Sequence, residues 1–378
     1  MPIGTLNSEL RDKKDHFVVT LYKKFREKLN INSSSIILFK IKDNEFIRLP
    51  NKDFHITIPK KFVENGQKNI KIDIIKIWEK ENAKKREVEI FSDNFINIKS
   101  LIPKKTLFKN EIFVLDNEPH VYVWYSIGGG AKHIKIKSQI DIQKISELIG
   151  FYFGDGNTSE GIRSFRINNC EPSVLNYCLS ILEELGIPRE IMKVQVIYTS
   201  HKENIDIPTK ERCINRWSKV LKLKKSQIVS VNKSKGKTES LKYGSARIFL
   251  DNSALVEILL NGVLKKFLEI VTNPANDLEK KILEGFLRGL AAAEGSVTLT
   301  KLGSLSKISL SYNPHSDDLR LYRKIFANLG IEPGGIKGNE LYIYGIKNFK
   351  IFNDIDLFKM HTERKNKFLI GYKNHRFS

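Results

Sequence analysis

Cysteine is scarce in this chain, and its absence from paired motifs excludes several protein classes at once. Of 378 residues only three are cysteine, and Cys170, Cys178 and Cys213 form no CxxC pair and leave one over. That pattern argues against a disulfide scaffold and a structural zinc site, and it suits a reducing compartment. Also lacking is any apolar run of about eighteen residues, the length a membrane-crossing helix needs. No charged-then-apolar leader opens the chain, so a cytoplasmic, nucleoid-associated location without signal peptide or membrane partner is expected. Acidic residues are in deficit: 43 Asp and Glu stand against 64 Lys and Arg, a formal net charge of +21. Such an imbalance points to an extended polyanion, nucleic acid first. An AT-rich coding sequence also enriches lysine, so charge supports this partner without establishing it.

Apolar content of 41% is enough for well-formed cores, and the length suits two or three domains. Leu10, Phe17, Val18, Leu21, Tyr22, Phe25 and Leu29 have helical spacing, which predicts a helix over 10–30. From 35 to about 125 short apolar alternations separated by Asn, Asp and Pro predict mostly strand. Residues 55–62, His-Ile-Thr-Ile-Pro-Lys-Lys-Phe, are similar to the strand-then-turn core of swapped-hairpin transcription factors. An accessory β-rich module with an incidental basic turn remains open beside that reading. Glycines 128–130 mark a hinge. The expected division is therefore an accessory module at 1–130, mostly β and a candidate for extra DNA contact, followed by segments 131–271 and 272–378.

Those two segments repeat each other. Residues 148–156 read Leu-Ile-Gly-Phe-Tyr-Phe-Gly-Asp-Gly, and 287–295 read Leu-Arg-Gly-Leu-Ala-Ala-Ala-Glu-Gly. Each ends an apolar helix with a carboxylate, Asp155 or Glu294, then a glycine. The C-terminal end of a helix carries partial negative charge, so an acid there is repelled and a positive partner is expected nearby. A single such acid before a capping glycine reads as a solvated side chain; two in one register do not. Similar helix and strand patterns follow both, Leu185-Gly-Ile187 answers Leu329-Gly-Ile331, and Lys242 with Ile248 answers Lys337 with Ile343. Gly150 and Gly154 on one helix, Gly289 and Ala293 on the other, leave faces bare enough for close packing. Side by side, the helices would bring Asp155 and Glu294 together with free carbonyl ends, among them those of Gly154 and Ala293. Such a cluster of hard oxygen donors suits Mg²⁺ or Mn²⁺, and metals there against a phosphodiester can activate water.

At these residues the chain resembles the monomeric, two-motif LAGLIDADG homing endonucleases, over about 141–378. The stretch 354–369, with His361-Thr-Glu-Arg-Lys-Asn-Lys-Phe, looks like their closing helix. The resemblance implies an α+β fold of two pseudo-symmetric αββαββα halves forming a saddle on duplex DNA. It also implies a monomer, Asp155 and Glu294 as metal ligands, and double-strand cleavage across the minor groove leaving 3′ overhangs. Basic residues near the scissile phosphates are implied too, and Lys242 and Lys337 are the candidates from repeat alignment, with solvated strand-end lysines as the plain alternative. Period-two alternation turns Phe165 and Ile167 inward and Ser164, Arg166 and Asn168 toward DNA. By the same logic Lys193, Gln195, Arg247, Ser309, Ser311, Tyr342 and Tyr344 face it, where they can meet bases and phosphates. Met1 without a splicing nucleophile, and an end without the His-Asn pair used for splicing, suggest a free-standing member rather than part of an intein. An RNA maturase and a non-cleaving DNA-binding regulator remain alternatives; a general chromatin protein would leave the duplicated acid motif unexplained.

Overall fold

The computed structural model describes every residue except 87, 128–129, 158–162, 200–204, 235–242 and 377–378. Contacts divide the chain into two compact units, Met1–Glu87 with Pro103–Lys135, and Val88–Ile102 with Ile136–Ser378. The fold is α+β. Residues 88–102, expected in the accessory module, belong to the second unit, and the segments at 131–271 and 272–378 fall largely within that one unit.

In the first unit β1 (Gly4–Glu9), β2 (Arg11–Asp12), β3 (His16–Thr20), α1 (Lys23–Lys28), β4 (Ser35–Ile41), β5 (Asn44–Arg48), β6 (His55–Pro59) and β7 (Asn69–Glu79) follow in order. The stretch expected as one helix over 10–30 is thus divided between β2, β3 and the short α1. Val18-Val-Thr20 is a β-branched run, and pairing of β3 with β6 buries Val19 opposite Ile56, which overrides the helical spacing. Only Lys23–Lys28 is α-helical. The sheet ordered β1-β7-β4-β5 is apolar on both faces. Leu6, Ile37, Phe39 and Ile72 pack with Val19, Ile56 and Ile58 on one side. Ile36, Leu38 and Ile47 pack with Phe113, Leu115, Tyr122 and Trp124 on the other. That two-sided burial explains the nearly unbroken apolar run in β4.

The second unit begins with β8 (Phe91–Ser92), β9 (Phe95–Asn97) and α2 (Ile98–Leu101); the chain then returns to the first for β10 (Phe113–Asn117) and β11 (His120–Ile127). The boundary falls within β12 (Gly130–Lys137), after which β13 (Gln139–Asp141) pairs with β9. The first half contains α3 (Ile142–Asp155), β14 (Phe165–Asn169), α4 (Pro172–Glu184), β15 (Lys193–Thr199), α5 (Ile207–Leu221), β16 (Ile228–Ser234) and β17 (Ser245–Leu250). It closes with α6 (Ser253–Val256), a π-helical stretch Glu257–Leu264 and α7 (Lys265–Thr272). The second half contains α8 (Asp277–Glu294), β18 (Gly295–Leu299), β19 (Leu305–Ser311), α9 (Asp318–Asn328), β20 (Gly335–Lys337), β21 (Glu340–Ile343), α10 (Ile346–Asp354) and α11 (Thr362–Arg376). Their sheets run β14-β17-β15-β16 and β18-β19-β21-β20. Strand β16, parallel to β15, was not anticipated. The single closing helix expected over 354–369 is instead a turn at 355–360 and α11. Gly186 and Gly330, with φ of 93° and 69°, terminate α4 and α9 in the left-handed conformation that side chains resist.

The motif helices α3 and α8 are held by caps at their starts and by glycines along their contact. Asp141 accepts from the Lys144 N–H at 2.9 Å, and Asn276 accepts from the Glu279 N–H at 3.0 Å. A Cβ on Gly150 would sit 2.0 Å from the Phe286 carbonyl oxygen, and one on Gly289 2.0 Å from the Glu147 carbonyl oxygen. Both obstacles are backbone, so neither can swing aside. Beside them Glu147, fully buried, accepts from Arg288 Nε at 2.6 Å, from Lys359 Nζ at 3.1 Å and from the Tyr177 hydroxyl. We expect Gly150→Ala or Gly289→Ala to cost at least ~3 kcal/mol, because overpacking here must separate two helices. Urea denaturation checks this, with Gly335→Ala, where nothing lies within 4 Å, as the neutral control. Equal stability of all three variants would contradict the close contact.

Candidate active site

Asp155 is the last residue of α3 and Glu294 the last of α8. Gly154 lies against the second helix: its absent Cβ would be 2.6 Å from Ala293 Cβ and 3.2 Å from Glu294 Cγ. The two acids therefore emerge at the same end of one helix pair. Burial pushes the Asp155 carboxyl up to about 6, opposed by Asn169, whose Nδ2 donates to Oδ2 at 2.7 Å, and by Arg364. Glu294 is pushed up to about 7 by burial, then by the charges of Asp155 and Asp318, with Arg364 again opposing. Burial is the main cause at both acids, and at Glu294 the neighbouring charges of Asp155 and Asp318 add to it.

The expected positive partner is a residue the sequence reading did not single out. Arg364 Nη1 donates to the carbonyl oxygens of Ala291 at 2.9 Å and Ala292 at 2.7 Å in the last turn of α8, where Ala291 also accepts from the Gly295 N–H. It sits in the first turn of α11, capped through His361, whose Nδ1 accepts from the Arg364 N–H at 3.3 Å. The basic stretch after Met360 was visible; its contact with carbonyls some seventy residues earlier was not.

A polar cavity of about 350 Å³ opens beside Asp155, lined by Asn157, Arg166, Asn168 and Arg247 among others. β17 lies between β14 and β15, so Asn168 faces Arg247 and Arg247 faces Gln195 across the ladder. Arg247 Nη1 donates to Gln195 Oε1 at 3.3 Å, and Asn168 Oδ1 is buried without a hydrogen-bond partner among the described residues. Phe165 and Ile167 are fully buried on the other face. Lys193 is exposed and within 3.7 Å of Asp251. In the second half Tyr342 and Ser311 are half-buried and Tyr344 exposed. Lys307 lies 3.6 Å above the Tyr342 ring. Two residues assigned to the DNA side are instead buried. Ser164 precedes β14 and takes the Arg166 Nε bond at 2.7 Å, and Ser309 is enclosed between Ser296 and Tyr342 on neighbouring strands. Lys337 is exposed on β20 opposite Glu340, while Lys242 lies outside the described residues.

For a divalent cation, the acid pair and nearby carbonyls offer hard oxygen donors of the right kind. Among the described residues no three His, Cys, Asp or Glu side chains cluster as a metal cage. Arg364 occupies the Ala291 and Ala292 carbonyls, which leaves Gly154 and Ala293 as the backbone donors next to the carboxylates. Water or phosphate oxygens would have to complete a magnesium shell, as is common for that ion.

No protein-family model and no curated protein matches the chain. Among solved structures it is similar to the N-terminal LAGLIDADG domain of DUF199/WhiA, at 18% identity over 58% of this chain and 83% of that one, TM-score 0.32. Full-length DUF199/WhiA from Thermatoga maritima gives 17% identity over 62% and 61%, TM-score 0.36. The meganuclease I-SmaMI bound to uncleaveable DNA gives 11% over 60% and 86%, TM-score 0.29. No helix among the described residues is long and apolar enough to cross a membrane.

The raised carboxyls make a signed prediction. With folded values of about 6 and 7 above those of the unfolded chain, the folded protein binds more protons between roughly pH 4 and 7. The acids cost nothing below that window, and their full cost appears above it. In metal-free buffer Glu294→Gln should therefore raise the melting temperature at pH 8 and leave it unchanged at pH 4. An equal shift at both would contradict the charge excess.

Proposed function

We propose that the second unit is a LAGLIDADG-type nuclease core that hydrolyses phosphodiester bonds of double-stranded DNA at a specific site. The observation that carries this reading is the convergence of Asp155 and Glu294 at one end of two glycine-packed helices, beside a cavity lined by Arg166 and Arg247. Burial raises the proton affinity of both acids, the Asp155 charge adds to it at Glu294, and a dication would relieve the conflict. Asp155, Glu294 and the carbonyls of Gly154 and Ala293 would hold Mg²⁺ or Mn²⁺. Bound there, the ion supplies water activation and stabilisation of the leaving oxygen.

The chain's own residues supply the rest. Arg166 and Arg247 offer guanidinium donors to phosphate oxygens, beside Asn168, whose buried Oδ1 has no hydrogen-bond partner among the described residues. Arg364 neutralises the end of α8 and keeps the pair from protonating outright. Lys337, with Lys242 as its counterpart by repeat alignment, stands as the candidate basic residue for each half. The excess of 64 basic over 43 acidic residues favours duplex association generally.

One observation favours a second reading, a DNA-binding protein that does not cut. Arg364 already acts as an internal cation at the acid pair, so the charge conflict is partly settled without metal. The two readings separate in a plasmid assay on DNA that includes the flanks of the chain's own gene. We expect nicking or linearisation with Mg²⁺, abolished by EDTA and reduced at least ~100-fold by Asp155→Asn or Glu294→Gln, the scale of losing one transition-state contact. Salt-sensitive duplex binding with no cleavage under Mg²⁺ or Mn²⁺ would sink the nuclease reading and leave the binder. A duplex affinity that stays flat from low to moderate salt would remove both.

A further inference from the structure

The first unit contains a cavity unrelated to the acid pair, about 590 Å³ in volume, within the ~300–1,000 Å³ of small-molecule sites. Its floor follows from strand pairing. β3 lies between β2 and β6, with Arg11 opposite Val18 and Val18 opposite Thr57. Alternation then puts His16 and His55 on that same face, while Val19, Ile56 and Ile58 point into the core.

The charge of this wall has one sign. The cations of Arg11, Lys13 and Arg48 line it beside His16 and His55, and among the described residues no acid does. Two carboxylates on the strands that carry Arg48 and Arg11 are engaged elsewhere: Glu45 accepts from the Tyr122 hydroxyl at 2.6 Å, and Asp12 pairs with Lys60 at 3.1 Å. Arg48 is held in place. Its Nε donates to the Thr57 carbonyl at 3.1 Å and Oγ1 at 3.2 Å, and Nη1 donates to the Ile47 carbonyl at 2.8 Å. Nη2 makes no hydrogen bond among the described residues, so the fork is fixed at one end and free at the other. A guanidinium anchored in this way loses little entropy when it grips an oxyanion.

The remaining wall is apolar and aromatic. Val18, Leu49 and Pro50 contribute, together with Trp124, which is 4% exposed and whose Nε1 is buried without an acceptor among the described residues. A bare phosphate fills only part of such a volume and leaves the apolar side unused. An amine would meet the positive charges of Arg11, Lys13 and Arg48, and a neutral sugar would leave them without a counter-charge.

We propose that this cavity binds a nucleotide, its phosphate on Arg48 and Arg11 and its base along the Val18, Leu49 and Trp124 side. The nucleotide can be free or the phosphorylated end of a strand, since both present the same phosphate and base. Isothermal titration of the full chain distinguishes them, using a nucleoside monophosphate, a 5′-phosphorylated pentanucleotide, the matching nucleoside and inorganic phosphate as probes. We expect saturable binding of the monophosphate, the pentanucleotide or both, and weaker binding of the nucleoside and of inorganic phosphate. Binding of the pentanucleotide alone assigns the site to a strand end, and binding of the monophosphate alone assigns it to a free nucleotide.

Arg48→Met and Arg11→Ser should each weaken binding by about tenfold or more, the scale of one charge-assisted hydrogen bond. Asp155→Asn should leave it unchanged, which separates this site from the acid pair. Arg11 is exposed on a two-residue strand, so its variant carries the test if Arg48→Met does not fold. Unchanged affinity in the folded variants would overturn the proposal. So would nucleoside or inorganic phosphate binding as tightly as nucleotide, or no heat with any probe at millimolar concentration.

Discussion

The backbone-to-backbone approach of α3 and α8 is the constraint on which the second unit depends. Where Gly150 faces Phe286 and Gly289 faces Glu147, there is no room for a single methyl group. Contact this close fixes the axial register of the two helices, and register is what brings their last residues level. It also places Glu147 against Arg288 in a buried pair with Lys359 and Tyr177. A buried ion pair adds little net stability against an apolar replacement, but breaking it by removing one partner is costly. Its effect here is therefore on specificity: a helix pair that slid along its seam would strand Glu147 without its donors.

Given that register, the chemistry at the helix ends follows from electrostatics. Two carboxylates at two helix C-termini form a local concentration of negative charge that the fold does not fully neutralise. Arg364 meets the carbonyls of Ala291 and Ala292, and Asn169 meets Asp155, yet both acids still hold their protons more tightly than free carboxyls. A purely structural role would favour replacing one acid by an amide. Keeping both acids leaves the helix pair with unneutralised charge, and that cost is recovered only when a cation or a protonated partner arrives.

How much of this was legible in the sequence depended on whether the signal was local. Asp155 and Glu294 were legible because a nine-residue pattern occurs twice, each time after a helical apolar period. The glycines of the seam were legible because they lie four apart. Arg364, Lys359 and the Glu147–Arg288 pair were not, since each acts on residues far away in the chain and no local period records that. The strand at His16–Thr20 was misread because its apolar residues also fit a helix, and only its partner β6 decides the matter. Residues 88–102 were assigned to the wrong unit because β9 pairs with β13, across the whole of β10 to β12.

The two halves share a scaffold and differ in what they present on it. In the first, Asn168 stands opposite Arg247 on the sheet; in the second, Ser309 stands opposite Tyr342, with Lys307 over the tyrosine ring. Ile248 and Ile343, one residue further along β17 and β21, are fully buried in both, so the matched positions occupy the same face. One half thus offers a guanidinium and amide groups, and the other an aromatic plane with an ammonium above it. Groups of the first kind hydrogen-bond to acceptors such as phosphates and purine edges, whereas the second joins a cation to an aromatic face. A symmetric scaffold with unlike faces suits a partner whose two sides also differ.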